Sequence, residues 1–242
     1  MEVSMRSDEE IKRDVEAELK WDPDIDATDI AVSTKNGVVT LVGYVPSYLM
    51  KYEAEKAAKR VAGVVGVAND LEVRLPSIDE RPDPEIARDA VAAIKSRLPI
   101  SWDHIKVIVK NAWITLEGEV EWNYQREGVE REVRRVKGVK DISALIQIKP
   151  KKETSPAEIQ TLIKEALRRS AEVDARRITV ETNDSKVILK GTVRSLAERQ
   201  EAERAAWSVP GVSVVKNKIV VVYTGDRAEI DAAQGGEHLP AS

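Results

Sequence analysis

Two hydrophobic periods alternate along the chain, and they do so in the same order three times. A period near four comes first: Ile11, Val15, Leu19; then Ile86, Ala90, Ile94; then Ile159, Ile163, Leu167. That spacing lines one face of a helix. A period of two follows, in Ile30-Ala31-Val32, Ile105-Lys106-Val107 and Ile178-Thr179-Val180, and predicts a strand. Turn residues at Lys35-Asn36-Gly37, Lys110-Asn111-Ala112 and Asn183-Asp184-Ser185 predict a hairpin into a second strand. In the second copy of that strand Ile114, Leu116, Gly118 and Val120 share one face, and Thr115, Glu117 and Glu119 the other. The helical period then returns (Ala54, Ala58, Val61; Val129, Val133, Val136; Ala202, Ala206, Val209). A short third strand closes each copy at Leu71-Glu72-Val73, Ile146-Gln147-Ile148 and Ile219-Val220-Val221.

The second strands repeat in sequence as well as in pattern: Leu41-Val42-Gly43-Tyr44-Val45, Leu116-Glu117-Gly118-Glu119-Val120 and Leu189-Lys190-Gly191-Thr192-Val193. A Gly-Val pair begins 20 residues after each glycine, at Gly63, Gly138 and Gly211, and successive copies are offset by 75 and 73 residues. Matching spacings across diverged residues mean three small units. The predicted fold is α+β: three tandem αββαβ sandwiches, each with two helices on one face of a three-stranded mixed sheet. The second and third strands run parallel because a helix crosses between them. The expected boundaries are 7–76, 82–150 and 155–223, with proline-marked linkers between them and a polar tail over 224–242 that reads as disordered.

Local signals fix the element ends. Ser7 with Glu10, Ser155 with Glu158 and Ser195 with Glu198 read as capping boxes, and Asp83 before Pro84 as a cap. Gly43, Gly118 and Gly191 fall on the core-facing side of a strand, where they are expected to let a helix backbone approach closely. Gly63, Gly138 and Gly211 are expected to stop the second helices in the left-handed cap position.

Composition narrows the function classes. Cysteine is absent, so disulfides and thiolate chemistry are excluded. The two histidines, His104 and His238, assemble no catalytic triad or metal cluster, so the expectation is no enzyme, no cofactor and no metal. The start MEVSMRSDEE has no apolar stretch, and no window reaches the roughly 20 apolar residues of a membrane span. A cytoplasmic or peripheral-membrane location is expected, and a periplasmic one only if a leader precedes this sequence. The net charge of −4 is unevenly placed. The first unit carries 9 Lys/Arg against 14 Asp/Glu, the second 12 against 11 and the third 12 against 9. The acidic total and the lack of a reading motif exclude nucleic acid as the expected partner.

Three groups of residues are candidates for contact with partners. The run Arg131, Arg134, Arg135 and Lys137 is the best anionic-surface candidate, although Glu127, Glu130 and Glu132 are interspersed. Aromatics at the starts of the second helices, Tyr48, Tyr52, Trp122 and Tyr124, suit either a lipid interface or packing on a neighbouring unit. Trp102, Trp113 and Trp122 concentrate in the second unit and point to contacts with neighbouring units or with another subunit.

The αββαβ order, the L-x-G-x-V strand and the Gly-Val pair 20 residues on resemble the BON domain (bacterial OsmY and nodulation). Asn69 and Asn217 match a further family position, and Ala144 departs from it. The resemblance implies a non-enzymatic protein of phospholipid surfaces or envelope and osmotic stress, in some members attached to transport systems. Its partner would be an anionic phospholipid surface or an envelope protein. The competing expectation is a homo-oligomeric assembly module, ring-like or pore-like, without intrinsic lipid binding.

Overall fold

The computed structural model describes residues 6–151, 154–170 and 173–222; the tail over 224–242 lies outside them. Each unit is built in the same order. The first comprises α1 (Asp8–Trp21), β1 (Ile30–Lys35), β2 (Val38–Val45), α2 (Tyr48–Arg60) and β3 (Gly66–Val73). The second comprises α3 (Asp83–Arg97), β4 (Ile105–Lys110), β5 (Trp113–Val120), α4 (Asn123–Val133) and β6 (Asp141–Ile148). The third comprises α5 (Pro156–Arg169), β7 (Ile178–Asn183), β8 (Lys186–Val193), α6 (Leu196–Trp207) and β9 (Val214–Val221). In each sheet the second strand is central, antiparallel to the first and parallel to the third. This is the α+β arrangement of two helices on a three-stranded mixed sheet.

The periodic positions form the cores. Ile11, Val15 and Leu19 meet Val39 and Leu41 of the sheet, and the other two units repeat the pattern with Ile86, Ala90, Ile94 and Ile159, Ile163, Leu167. The opposite sheet faces carry no helix of their own unit.

The motif glycines have a different partner from the expected one. Gly43, Gly118 and Gly191 adopt φ of +137°, +139° and +134°. A Cβ there would lie 1.8, 2.0 and 1.9 Å from the carbonyl oxygens of Asp29, His104 and Arg177. The close approach is made by the backbone entering the first strand, a loop in the first unit and a single 3-10 turn (Trp102–His104, Ala175–Arg177) in the other two, not by either α-helix of the unit. In the first unit the same carbonyl accepts a hydrogen bond from Tyr44 N–H at 3.2 Å. The second set of glycines has φ near +88°, but lies beyond the helix caps at Val61, Arg134 and Ser208. Gly63 and Gly138 therefore do not stop the helices. They let the following turn close onto Ile11 and Ile86 of the first helices, 3.3 and 3.0 Å from where a Cβ would stand.

Asp83 is likewise not a cap. Pro82 takes the cap position of α3, and the Asp83 carboxylate accepts the backbone N–H groups of Asn111 and Ala112, both at 2.8 Å. Asp8 holds Asn36 and Gly37 in the same way, at 2.8 and 2.9 Å. These hairpin residues sit at positive φ, which turns their amides out of the ladder and toward the first turn of the helix. The third unit has Pro156 at the equivalent place, and there Thr182 Oγ1 donates to the Pro156 carbonyl at 2.9 Å. A second tie joins the third strand to the second helix. Asn69 Nδ2 donates to Lys51 O and to Glu55, and Asn217 Nδ2 to Arg199 O and to Glu203, all at 3.0–3.1 Å. Ala144 leaves the second unit without it.

Candidate functional site

The starts of the three second helices do not face solvent together; each is seated on the next unit. Tyr48, at the start of α2, packs against the core of the second unit, and Lys51 pairs with Asp141 of that unit at 3.7 Å. Trp122 and Asn123, at the start of α4, close against Trp207, Val209 and Val212 of the third unit. Leu196, at the start of α6, lies in the core of the first unit, where Gly63 N–H donates to Arg194 O at 3.2 Å. The ring closes within one chain. Burial at this joint, with Asp141 nearby, pushes the Tyr48 hydroxyl up to about 12.

This seating sorts the aromatic candidates. Tyr48 and Tyr52 are half-buried against the second unit, with the Arg134 guanidinium 3.9 Å over the Tyr52 ring. Trp122 is half-buried and stacks on Tyr124 at 6.3 Å, while Tyr124 itself is exposed. The three tryptophans of the second unit are separated. Trp102 packs on its own unit's core under Lys95, Trp113 is half exposed on the open sheet face, and Trp122 lies at a junction between units. Leu196 is the third unit's counterpart of the helix-start aromatics, whereas Trp207 carries a contact that its position in α6 did not single out.

The basic run is split by the fold. Arg134 turns inward, pairing with Glu130 at 2.9 Å, and Arg126 approaches the same carboxylate at 3.8 Å. Burial nevertheless raises the Glu130 carboxyl above its usual range, against the pull of Arg134 and Arg126. Lys137 pairs with Asp79 at 2.9 Å. Arg131 and Arg135 stay exposed, with no ion partner among the described residues. They border a groove of about 660 Å³ between α2 and α4 that also receives Arg204 of α6.

A second cationic surface stands on the open sheet face of the third unit. Register puts Lys190 directly opposite Lys218, and Lys186 opposite Val214, with Ile188 opposite Lys216 between them. All four lysines are exposed, and among the described residues Lys190 alone has an acidic partner, Glu181 at 2.6 Å. Val214, Val220 and Val222 fringe the patch, all exposed. The Lys190–Lys218 row holds Val42 and Asp70 in the first unit, and Glu117 and Leu145 in the second. The patch therefore belongs to the third unit alone. Its signal was present in the sequence as lysines an even number of residues apart within each strand, at 186 and 190 and at 216 and 218, but only the parallel register brings them side by side.

Among the described residues no group of three or more His, Asp or Glu could hold a metal ion, and no helix is long and apolar enough to cross a membrane.

Comparison with known proteins agrees with this architecture. Osmotically-inducible protein Y of Escherichia coli (strain K12) is 33% identical over 141 residues, covering 56% of this chain and 69% of that protein. Two solved structures align weakly. CdsD, a structural protein of the type III secretion system of Chlamydia trachomatis, shows 12% identity over 95% of this chain and 100% of that one, with a TM-score of 0.26. The CdsD C-terminal domain shows 13% identity over 87% of this chain and 96% of that one, with a TM-score of 0.25. Neither carries a structural argument at those scores. The BON domain profile matches residues 7–74, 82–150 and 155–223. With the glycine motif and the αββαβ order present in every copy, the chain belongs to the BON domain family.

Proposed function

We propose that this is a non-enzymatic protein of osmotic or envelope stress that binds anionic phospholipid surfaces peripherally, through the open sheet face of its third unit. One observation carries the reading: Lys190 and Lys218 face each other directly across neighbouring strands. Like charges placed so are destabilising. Glu181, 2.6 Å from Lys190, offsets only one of the two charges; an anionic surface would relieve the rest, and Lys186 and Lys216 add to the same face. An open sheet face fringed by the exposed Val214, Val220 and Val222 suits a bilayer surface better than a cleft does.

Magnitudes make the contact weak and reversible. Each lysine near an anionic leaflet contributes about 1 kcal/mol, so four give about 4 kcal/mol, which is near-millimolar affinity before any apolar contribution. Screening shrinks from about 10 Å at 0.1 M salt to about 3 Å at 1 M, so high salt removes most of it. The resemblance to osmotically-inducible protein Y supports the stress setting.

The test is flotation with phosphatidylglycerol and phosphatidylcholine vesicles at low and high salt. Binding to the anionic vesicles alone, lost at high salt and lost in a Lys186→Glu, Lys190→Glu, Lys216→Glu, Lys218→Glu variant, is the expected result. Failure to float under every condition sinks the reading.

A second reading rests on the other open sheet faces. Val42 in the first unit and Trp113 and Leu145 in the second are each about half exposed, as surfaces that meet protein partners are. In that reading the chain assembles with copies of itself or with an envelope protein, and sedimentation at micromolar concentration would give a mass above the monomer.

A further inference from the structure

The groove between α2 and α4 has a different shape and chemistry from the lysine face. Its lining holds six cationic side chains against three glutamates. The inner ones serve the fold. Arg134 is clamped between the Tyr52 ring and Glu130, and Arg126 lies between Glu130 and the Trp207 ring at 5.1 Å. Glu130 is thus neutralised from two sides, and these arginines are held in place by stacking before any ligand arrives.

Two of the outer cations, Arg131 and Arg135, are in excess of what the fold uses. Arg131 and Arg135 stand four residues apart at the end of α4, exposed and without an ion partner among the described residues. A helix C-terminus attracts cations on its own. That attraction does not account for three guanidiniums within two turns on a groove that Lys56 of α2, paired with Glu53 at 3.1 Å, and Arg204 of α6, paired with Glu201 at 2.5 Å, also line. Guanidinium forks match phosphate oxygens two at a time, where lysine offers only a point charge. The volume is in the range of small-ligand sites and exceeds the needs of a single phosphate.

We propose that this groove binds a compact soluble anion carrying two or more clustered phosphate groups, gripped by Arg131 and Arg135 over the preset Arg126–Glu130–Arg134 floor. The site is separate from the lysine face and does not depend on the lipid reading.

The probe is inorganic tripolyphosphate, titrated calorimetrically into the full chain at low salt. One-site binding is expected. It should weaken at least about tenfold in Arg131→Glu, Arg135→Glu, because each removes a bidentate charge-assisted contact. The milder Arg131→Gln, Arg135→Gln pair, compared by thermal melting, separates loss of the site from loss of fold. Orthophosphate should bind at least about tenfold more weakly, since it engages fewer of the forks. Lys186→Glu, Lys218→Glu should bind tripolyphosphate as the native chain does. Three results would each overturn the proposal: no tripolyphosphate binding, equal affinity in the arginine variants, or equal loss in the lysine variant. If the arginine variants instead lose flotation on phosphatidylglycerol vesicles while tripolyphosphate fails to bind, the groove takes lipid headgroups and the soluble-anion assignment falls.

Discussion

Truncating Leu196 to alanine tests whether the three units are one packed body or three tethered ones. Leu196 belongs to the third unit, yet its side chain is 7% exposed and lies in the core of the first. Burying a leucine is worth about 1.5–3 kcal/mol, and the cavity left by Leu→Ala raises the loss to about 2–5 kcal/mol in close-packed cores. At a junction that can partly collapse, about 2–3 kcal/mol is expected. The assay is native-state hydrogen exchange at Gly63, whose N–H donates to Arg194 O just before the helix that Leu196 begins. A loss of that size accelerates opening there roughly 30- to 150-fold, at about tenfold per 1.4 kcal/mol. Exposed substitutions stay within about 0.5 kcal/mol. A shift that small, or faster exchange confined to the third unit, would refute the seating of α6 on the first unit.

Three further outcomes follow from the geometry. Tyr48 holds its proton up to about pH 12 when folded, against about 10 when unfolded. The stability it contributes is therefore complete below pH 10 and is lost as pH rises from 10 through 12, by up to about 2–3 kcal/mol; unfolding of Tyr48→Phe across that range should lack this component. Gly43→Ala should cost more than about 3 kcal/mol, because its Cβ would stand 1.8 Å from Asp29 O at a φ of +137°. Gly66→Ala, whose nearest contact is 3.7 Å, should stay within about 1 kcal/mol of the native chain in the same urea titration. Asp83→Ala removes the acceptor of two hairpin amides and should destabilise by about 1–3 kcal/mol, measured in the same way.

Most of the fold was legible because it is local and repeated. Ile11, Val15 and Leu19 announce a buried helix face without reference to anything distant, and the crossover fixes the parallel pairing of β2 with β3. What was not legible depends on which atom faces a residue across space. The side of the strand on which Gly43 lies can be read from alternation, but not that a loop carbonyl fills the space above it. Asp83 looks like a cap because its type and position allow it; its partners lie 28 and 29 residues away. Packing of the helix starts on a neighbouring unit was one of the two readings open in the sequence, but its closure into a ring was not legible: Tyr48, Asn123 and Leu196 occupy equivalent places and share no residue type. The candidate arginines were visible as a run, while their division into a clamped Arg134 and a free Arg131 and Arg135 required the helix ends. The lysine face needed register across two parallel strands.

The most direct measurement of the lipid-binding account is lysine acetylation of the native chain, read residue by residue by mass spectrometry, with and without phosphatidylglycerol vesicles at low salt. The account predicts protection of Lys186, Lys190, Lys216 and Lys218, and unchanged labelling of Lys35, Lys106 and Lys110, which stand on the corresponding faces of the first and second sheets. Uniform labelling with vesicles present, or protection of the first two sheets instead of the third, would contradict it.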